Sequence, residues 1–405
     1  AYVPARRAPT RFKENRMSAV GTRERRARSN EGDRLLASLF EKCGAHPLEV
    51  AIAAVGGFGR GELSPGSDLD IVIIHSGSYR PQELSEIVNK ILYPLWDEKI
   101  SGRAIKVDHS VRTRSEMREA ADSDLKVALG LLDIRLVCGS ADLVAAVQVD
   151  SLESWRKNSK ARLPQLQESL LERHQRAGEL AYLLEPDLKE ARGGLRDIQA
   201  LRAIALSGAV TVPLEKISWA ESTLNNVRES LHIASGRGKD RLLFQEQDKV
   251  AQLLKYADAD AMMGDVARAA RSVDYLLDYT WHTLEHKGKD GLGRILKRPR
   301  VATVAKNVSA SNREIVIDPF ISFNDDPVVG LRAAATAAQL GLPLSLDTCT
   351  ELSEALKKGE GVLSNPWPRE ARELLIALIG AGEAMVGIFE ILDQEEIIFH
   401  WIPEW

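Results

Sequence analysis

The stretch from Gly56 to Ile74, GGFGRGELSPGSDLDIVII, limits this chain more than any other. An apolar run, Val50 to Val55, ends there in two glycines. A second run, Asp68 to Ile74, starts after a loop rich in Gly, Ser and Pro. Short apolar runs bounded by turn residues read as buried strands. Two glycines at a strand end let the backbone approach a ligand closely. Amide groups exposed in such a turn, leading into a short helix expected at Gly59 to Leu63, suit phosphate oxygens. Ser67 adds a hydroxyl. Asp68 and Asp70 are two apart, so on a strand both carboxylates share a face, while Leu69, Ile71 and Ile73 take the other. Two such carboxylates repel unless a cation sits between them, and hard oxygen ligands beside a phosphate cradle favour magnesium. This is the chemistry of phosphoryl or nucleotidyl transfer, where two ions ~3.5–4 Å apart steady the attacking and leaving oxygens. Gly-Gly or Asp-x-Asp alone is ordinary turn chemistry with solvated acids. Their order within one strand–loop–strand is what is specific.

An α/β unit with few strands is expected around this segment. Asp33 to Cys43 and Ser85 to Trp96 have helical apolar spacing, and Arg103 to Val111 alternates as a third strand. From about Arg114 the pattern turns helical: Lys126 to Val137, Leu152 to His174, Leu195 to Leu206, Leu214 to Ala234 and Asp258 to Leu284. Val301 to Val308 and Glu314 to Ile317, around a turn at Ser309 to Asn312, read as a hairpin. Helices resume from Pro327.

Composition narrows the class. With 405 residues, 44% hydrophobic and 28% charged, the chain is globular and large enough for two or three domains. No apolar run reaches the ~18 residues of a membrane span. Three distant cysteines, Cys43, Cys138 and Cys349, form neither a disulfide framework nor a metal pair, and a reducing cytoplasm is expected. Residues 1–28 hold nine Lys/Arg against two Asp/Glu, and the rest is acidic overall. A flexible basic tail over 1–29 is expected. The acidic body argues against a nucleic-acid partner, because phosphate backbones need concentrated positive charge.

The Gly-Gly…Gly-Arg-Gly-Glu-Leu…Ser-Asp-Leu-Asp order resembles the DNA polymerase β-type nucleotidyltransferase superfamily. Within it, the chain most resembles the bifunctional PII uridylyltransferase/uridylyl-removing family. Leu184 to Gln199 (LEPDLKEARGGLRDIQ), His109 to Thr113 (HSVRT) and Asp240 to Phe244 (DRLLF) carry that resemblance further. It implies an α+β fold: a small nucleotidyltransferase domain with a few-stranded mixed sheet at 30–145, then a helical bundle at 146–300. A mainly helical region would follow at 301–405, leading to an HD hydrolase domain that lies beyond this sequence. It also implies transfer of UMP, or AMP, from UTP or ATP to a tyrosine of the PII nitrogen-regulatory protein, with release of pyrophosphate.

Carried onto this chain, Gly56, Gly57 and Ser67 would bind the triphosphate. Asp68 and Asp70 would bind Mg2+, two ions in all, with Asp108 as third carboxylate and proton acceptor. Asp108 reads equally as a plain strand-end acid. Arg60, Lys189 and Arg196 are candidates for the nucleotide, although Lys189 and Arg196 read equally well as part of a loop pinned by salt bridges. A glutamine synthetase adenylyltransferase, an RNA nucleotidyltransferase and a non-catalytic nucleotide-sensing scaffold are the alternatives. His282-Thr-Leu-Glu-His286 matches an inverted zinc-peptidase motif but lacks a third ligand. Gly236-Arg-Gly-Lys239 lacks the spacing of a phosphate loop and reads as a basic interhelical turn.

Overall fold

The computed structural model describes residues 20–100, 102–287 and 302–405. Residues 1–19, most of the expected tail, lie outside the described residues, as do Ser101 and 288–301. The contacts divide the chain into Ala1–Asp274 and Tyr275–Trp405. The first unit thus spans both the expected nucleotidyltransferase domain and most of the expected bundle.

Four strands build its sheet: β1 Val50–Ala54, β2 Leu69–His75, β3 Val107–Thr113 and β4 Arg135–Gly139, in the order β3-β2-β1-β4. β1 runs antiparallel to both neighbours, and β2 runs parallel to β3. A parallel pair needs a crossover, here the helix Pro81–Asp97. β1 is buried throughout, as a central strand covered on both faces should be. Its Ile52 packs in one core with Phe58, Leu69, Ile71 and Ile73, closed by Leu36 and Phe40 of the helix Thr22–Cys43 and by Ile91 and Leu95 of the crossover.

Three expectations along this stretch are corrected. Arg103 to Val111 is not one strand: Arg103–Ala104 pairs with Lys99–Ile100, and β3 starts at Val107. The expected helix from Lys126 to Val137 ends at Leu131, and its last residues belong to β4. The apolar spacing of that stretch fits a helix, and pairing along β1 overrides it. Leu152 to His174 is broken at Asn158 into Ala141–Lys157 and Ser159–Ala177.

The tail is corrected too. The first helix begins at Thr22, so residues 22–29 are packed chain rather than tail. Its arginines read as solvated charge because their partner lies about two hundred residues on. Glu229, on the helix Ser218–Ser235, is fully buried and accepts from Arg25 Nη1 at 2.7 Å, from the Gly21 amide at 2.9 Å and from Arg28. Arg25 also donates to Asn226 Oδ1 at 2.9 Å, and Arg28 Nε to the Leu63 carbonyl at 2.9 Å. One buried carboxylate therefore joins the first helix, the glycine-rich loop and the helical part.

The second unit has an antiparallel sheet of Ala302–Ala305, Val308–Ser311 and Glu314–Ile317, followed by helices that include the buried, alanine-rich Val329–Leu340. The expected hairpin is thus three-stranded. Its turn falls at Asn312–Arg313, both at positive φ, while Ser309 to Ser311 are strand. Among the described residues no single helix is long and apolar enough to cross a membrane.

Removing Glu229 strands two buried guanidinium groups. Breaking a buried ion pair from one side costs about 3–5 kcal/mol. Glu229→Ala should therefore lower the urea midpoint of the first unit strongly, followed by circular dichroism. An unchanged midpoint would show that these pairs do not hold the fold.

Candidate active site

The end of β1 sets the first part of the site. Ala54 pairs with Ile71, and the Val55 amide donates to the Asp70 carbonyl at 3.0 Å. The next residue, Gly56, is therefore delivered against Asp70. It has φ +56°, and a Cβ there would lie 3.3 Å from Asp70 Oδ2. A side chain would be strained and would crowd the carboxylate. The chain then makes one helical turn at Gly56–Gly59, earlier than the turn expected at Gly59 to Leu63.

Strand register sets the second part. In the parallel β2–β3 pair Asp70 lies opposite Asp108. Asp68 precedes β2 and is exposed, and Asp70 is half-buried on it. Leu69, Ile71 and Ile73 are buried as expected, and Val72 and Ile74 are buried as well, so the strand opens to solvent at its two ends, near Asp70 and at His75.

Burial raises the Asp70 pKa above the usual carboxylate range, and the nearby charges of Asp108 and Asp68 raise it further. Lys189 and Arg196 pull it down. The charges of all three aspartates, and of two cations distant in sequence, thus act together on Asp70. Burial, then Arg196, holds the Lys189 ammonium below the usual lysine value, with Asp240 at 3.9 Å opposing.

Among the described residues no three His, Cys, Asp or Glu side chains converge closely enough to hold an ion unaided. Magnesium typically takes one or two carboxylates and completes its shell with water and substrate phosphates. A crowded, partly buried carboxylate beside a second, exposed one fits that demand.

The Leu184 to Gln199 block does two jobs. Its glycine-and-aspartate end is structural. Asp197, wholly buried, accepts from Arg173 Nη2 at 2.6 Å, from the Gly193 amide at 2.7 Å and contacts His174 Nε2 at 2.9 Å. Arg192 pairs with Asp274 at 2.5 Å. Its middle is held by Asp240 to Phe244: the Leu188 amide donates to the Asp240 carbonyl, and the Leu242 amide to that of Pro186. Asp240 also binds Arg228 at 2.6 Å and His232 at 2.9 Å. Of the two cations the block carries, Lys189 lies 3.9 Å from Asp240 and Arg196 pairs with Glu190 at 3.3 Å, and the charges of both lower the Asp70 pKa.

Arg60 is engaged otherwise. Its guanidinium pairs with Glu62 at 2.8 Å and with Asp133, while Arg202 links Glu62 to Glu221. Arg60 thus ties the loop to Asp133, just before β4, and Arg202 braces it against the helical part. Ser67 Oγ accepts from the Ser64 amide at 3.3 Å.

The turn set aside in the sequence turns out to matter. A Cβ on Gly238 would lie 2.1 Å from the Gly66 carbonyl oxygen, and one on Gly66 would lie 2.4 Å from Gly238 Cα. Two backbones touch here, directly before Ser67 and Asp68. The glycine pair at 236 and 238 was the visible signal, and it is turn chemistry that serves a packing contact. Glu229 carried no local signal, because its partners lie about two hundred residues away in sequence.

Comparison with known proteins agrees with this layout. The family model described as Nucleotidyltransferase domain matches residues 36–128, and that described as GlnD PII-uridylyltransferase matches 161–208 and 212–281. The chain is similar to the bifunctional uridylyltransferase/uridylyl-removing enzyme of Streptomyces coelicolor, 40% identical over 95% of this chain and 46% of the relative. It is similar to that of Mycobacterium tuberculosis at 35% identity, over 88% of this chain and 44% of the relative. For Corynebacterium glutamicum the identity is 29%, over 89% and 49%. The chain spans about half the length of the curated relatives it matches.

Two outcomes follow. Gly238→Ala should force the two backbones apart and disturb Ser67 and Asp68, lowering the melting temperature and raising the KM for nucleotide at least tenfold in the chain that stays folded; an unchanged KM would make the glycine contact incidental. For Asp70, a raised native pKa means that ionisation costs the fold stability above that pKa and that the cost fades as pH falls through it. In EDTA at pH 7, Asp70→Asn should therefore unfold at higher urea than the parent, with the margin closing toward pH 4. A margin independent of pH would mean that Asp70 is not crowded.

Proposed function

Because this chain belongs, over the region holding its nucleotidyltransferase domain, to the family of bifunctional uridylyltransferase/uridylyl-removing enzymes, we propose that it transfers UMP from UTP to a tyrosine hydroxyl of a PII protein. The observation that carries this reading is the register of Asp70 beside Asp108, next to Gly56, with the charges of Lys189 and Arg196 acting on Asp70. The relatives' names favour UTP over ATP and a PII acceptor over RNA.

In this reading the amides of Gly56 and Gly57 and the Ser67 hydroxyl cradle the triphosphate, as exposed amides at a turn suit an anion. Lys189 and Arg196 offset charge on the phosphates and on the departing pyrophosphate. Asp68 and Asp70, with Asp108 beside them, would hold Mg2+, two ions in the full site. When bound, the metal neutralises phosphate charge and favours the ionised acceptor hydroxyl. The acceptor oxygen attacks the α-phosphorus, the bond to the β-phosphate oxygen breaks, and pyrophosphate leaves. Asp108, the most solvent-open member of the pair across β2 and β3, takes the hydroxyl proton. Arg60 supports the cradle from behind rather than binding the nucleotide directly. We place the enzyme in the cytoplasm, since three cysteines outside any disulfide, two of them buried, suit a reducing compartment.

The test is transfer of label from α-labelled UTP to purified PII protein with magnesium, and ATP run alongside. Label from UTP should appear, and Asp68→Ala with Asp70→Ala should reduce it at least a thousandfold while the chain stays folded. Asp108→Asn should lower kcat with little effect on the KM for UTP. Label from neither nucleotide would overturn the reading.

A further inference from the structure

The segment that leads into Asp68 is a closed turn. Ser64-Pro65-Gly66-Ser67 has Pro at its second position, where the ring presets the backbone angle a turn needs. The Ser67 amide donates to the Ser64 carbonyl at 2.9 Å, and the Ser64 amide donates to Ser67 Oγ at 3.3 Å. Ser64 thus clamps Ser67 through both of its own backbone groups, and the four residues move as one body. Ser67 Oγ accepts in this turn, so its own O–H proton remains to be donated to a phosphate oxygen. What such a turn cannot supply is its own orientation. That must come from whatever holds Ser64.

Arg228 holds it. Its side chain is only 13% exposed, and Ser64 is buried. Arg228 Nη1 donates to Ser64 Oγ at 3.2 Å while Nε donates to Asp240 Oδ1 at 2.6 Å. One planar fork therefore spans from a carboxylate to the first residue of the turn, a reach that the compact ammonium of a lysine does not have. The carboxylate is itself fixed. His232 Nε2 lies 2.9 Å from the same Asp240 oxygen, and Lys189 Nζ lies 3.9 Å from the other. The Asp240 carbonyl accepts from the Leu188 amide at 2.9 Å. Arg228 and His232 are four residues apart on the helix Ser218–Ser235, so both reach Asp240 from one face of it. We infer that Arg228 is a positioning residue for the nucleotide: held by Asp240, it sets through Ser64 where the Ser67 hydroxyl stands. This rests on the reading that Ser67 cradles the triphosphate. It deepens that reading by assigning what places the hydroxyl.

Arg228→Lys separates a brace from a charge. It keeps a cation opposite Asp240, so the carboxylate is not stranded and the chain stays folded, but it removes the second arm. The full chain is titrated with a non-hydrolysable UTP analogue and magnesium, followed by calorimetry. Arg228→Lys, and separately Ser64→Ala, should each weaken binding about fivefold, the order expected for one lost hydrogen bond. Ser67→Ala should weaken binding about fivefold in the parent but less than twofold in the Arg228→Lys chain, because the hydroxyl it removes is already misplaced there. In the transfer assay the loss should fall on the KM for UTP with kcat nearly unchanged, as for an interaction made equally before and during reaction. A merely structural role would leave the effects of Arg228→Lys and Ser67→Ala independent. Affinity retained in Arg228→Lys or in Ser64→Ala, effects that multiply in full, or no binding by the parent chain overturns the assignment. Coupled losses of binding with no transfer by the parent would leave the assignment standing and bring down the catalytic reading instead.

Discussion

Everything at the reacting end of the molecule depends on a carboxylate that takes no part in the reaction. Glu229 is wholly buried and holds two arginines from the first helix. An isolated buried charge would be intolerable; paired and fully hydrogen-bonded, it fixes geometry. Through Arg28 it reaches the Leu63 carbonyl, inside the loop between the two glycines and the two aspartates. Arg202 with Glu62, and Arg228 with Ser64, add further ties to the same loop. A long glycine-, serine- and proline-rich loop has little core of its own. Here charge pairs from the helical part supply what apolar packing does not.

The same principle governs Asp70. A carboxyl that is partly buried and feels the charges of two others is an unfavourable arrangement by itself. It persists because the surrounding sheet is well packed, with Leu69, Ile71 and Ile73 in the core. Such local disfavour is common where a cationic or phosphate-rich ligand is meant to enter. Lys189 shows the complementary case: burial and neighbouring arginines disfavour its charge, which an anionic ligand would restore.

Much of this was legible in the chain itself. β1, the glycine pair, Asp68, Asp70 and β2 were visible because their chemistry is local and their strands are short apolar runs between turn residues. Asp108 was placed on a neighbouring strand, and the register shows that it lies opposite Asp70. What escaped had partners far off in sequence. β4 carries helical spacing and becomes a strand only because β1 needs a second neighbour. Arg25 and Arg28 look like a solvated tail until Glu229 is present. Arg60, close to the glycines in sequence, is turned to Glu62 and Asp133 instead. The Leu184 to Gln199 block could not be divided by inspection into its buried anchor at Asp197 and the ion-paired cations Lys189 and Arg196.

The contact of Gly66 with Gly238 carries a consequence for the order in which the protein is made. The strands that bear the aspartates leave the ribosome early, but the backbone that seats their loop follows roughly 170 residues later. At synthesis rates of about 5–20 residues per second, that is ~10–35 s during which a sheet could form while its loop lacks its seat. A nascent chain is thereby kept idle until its helical part has emerged.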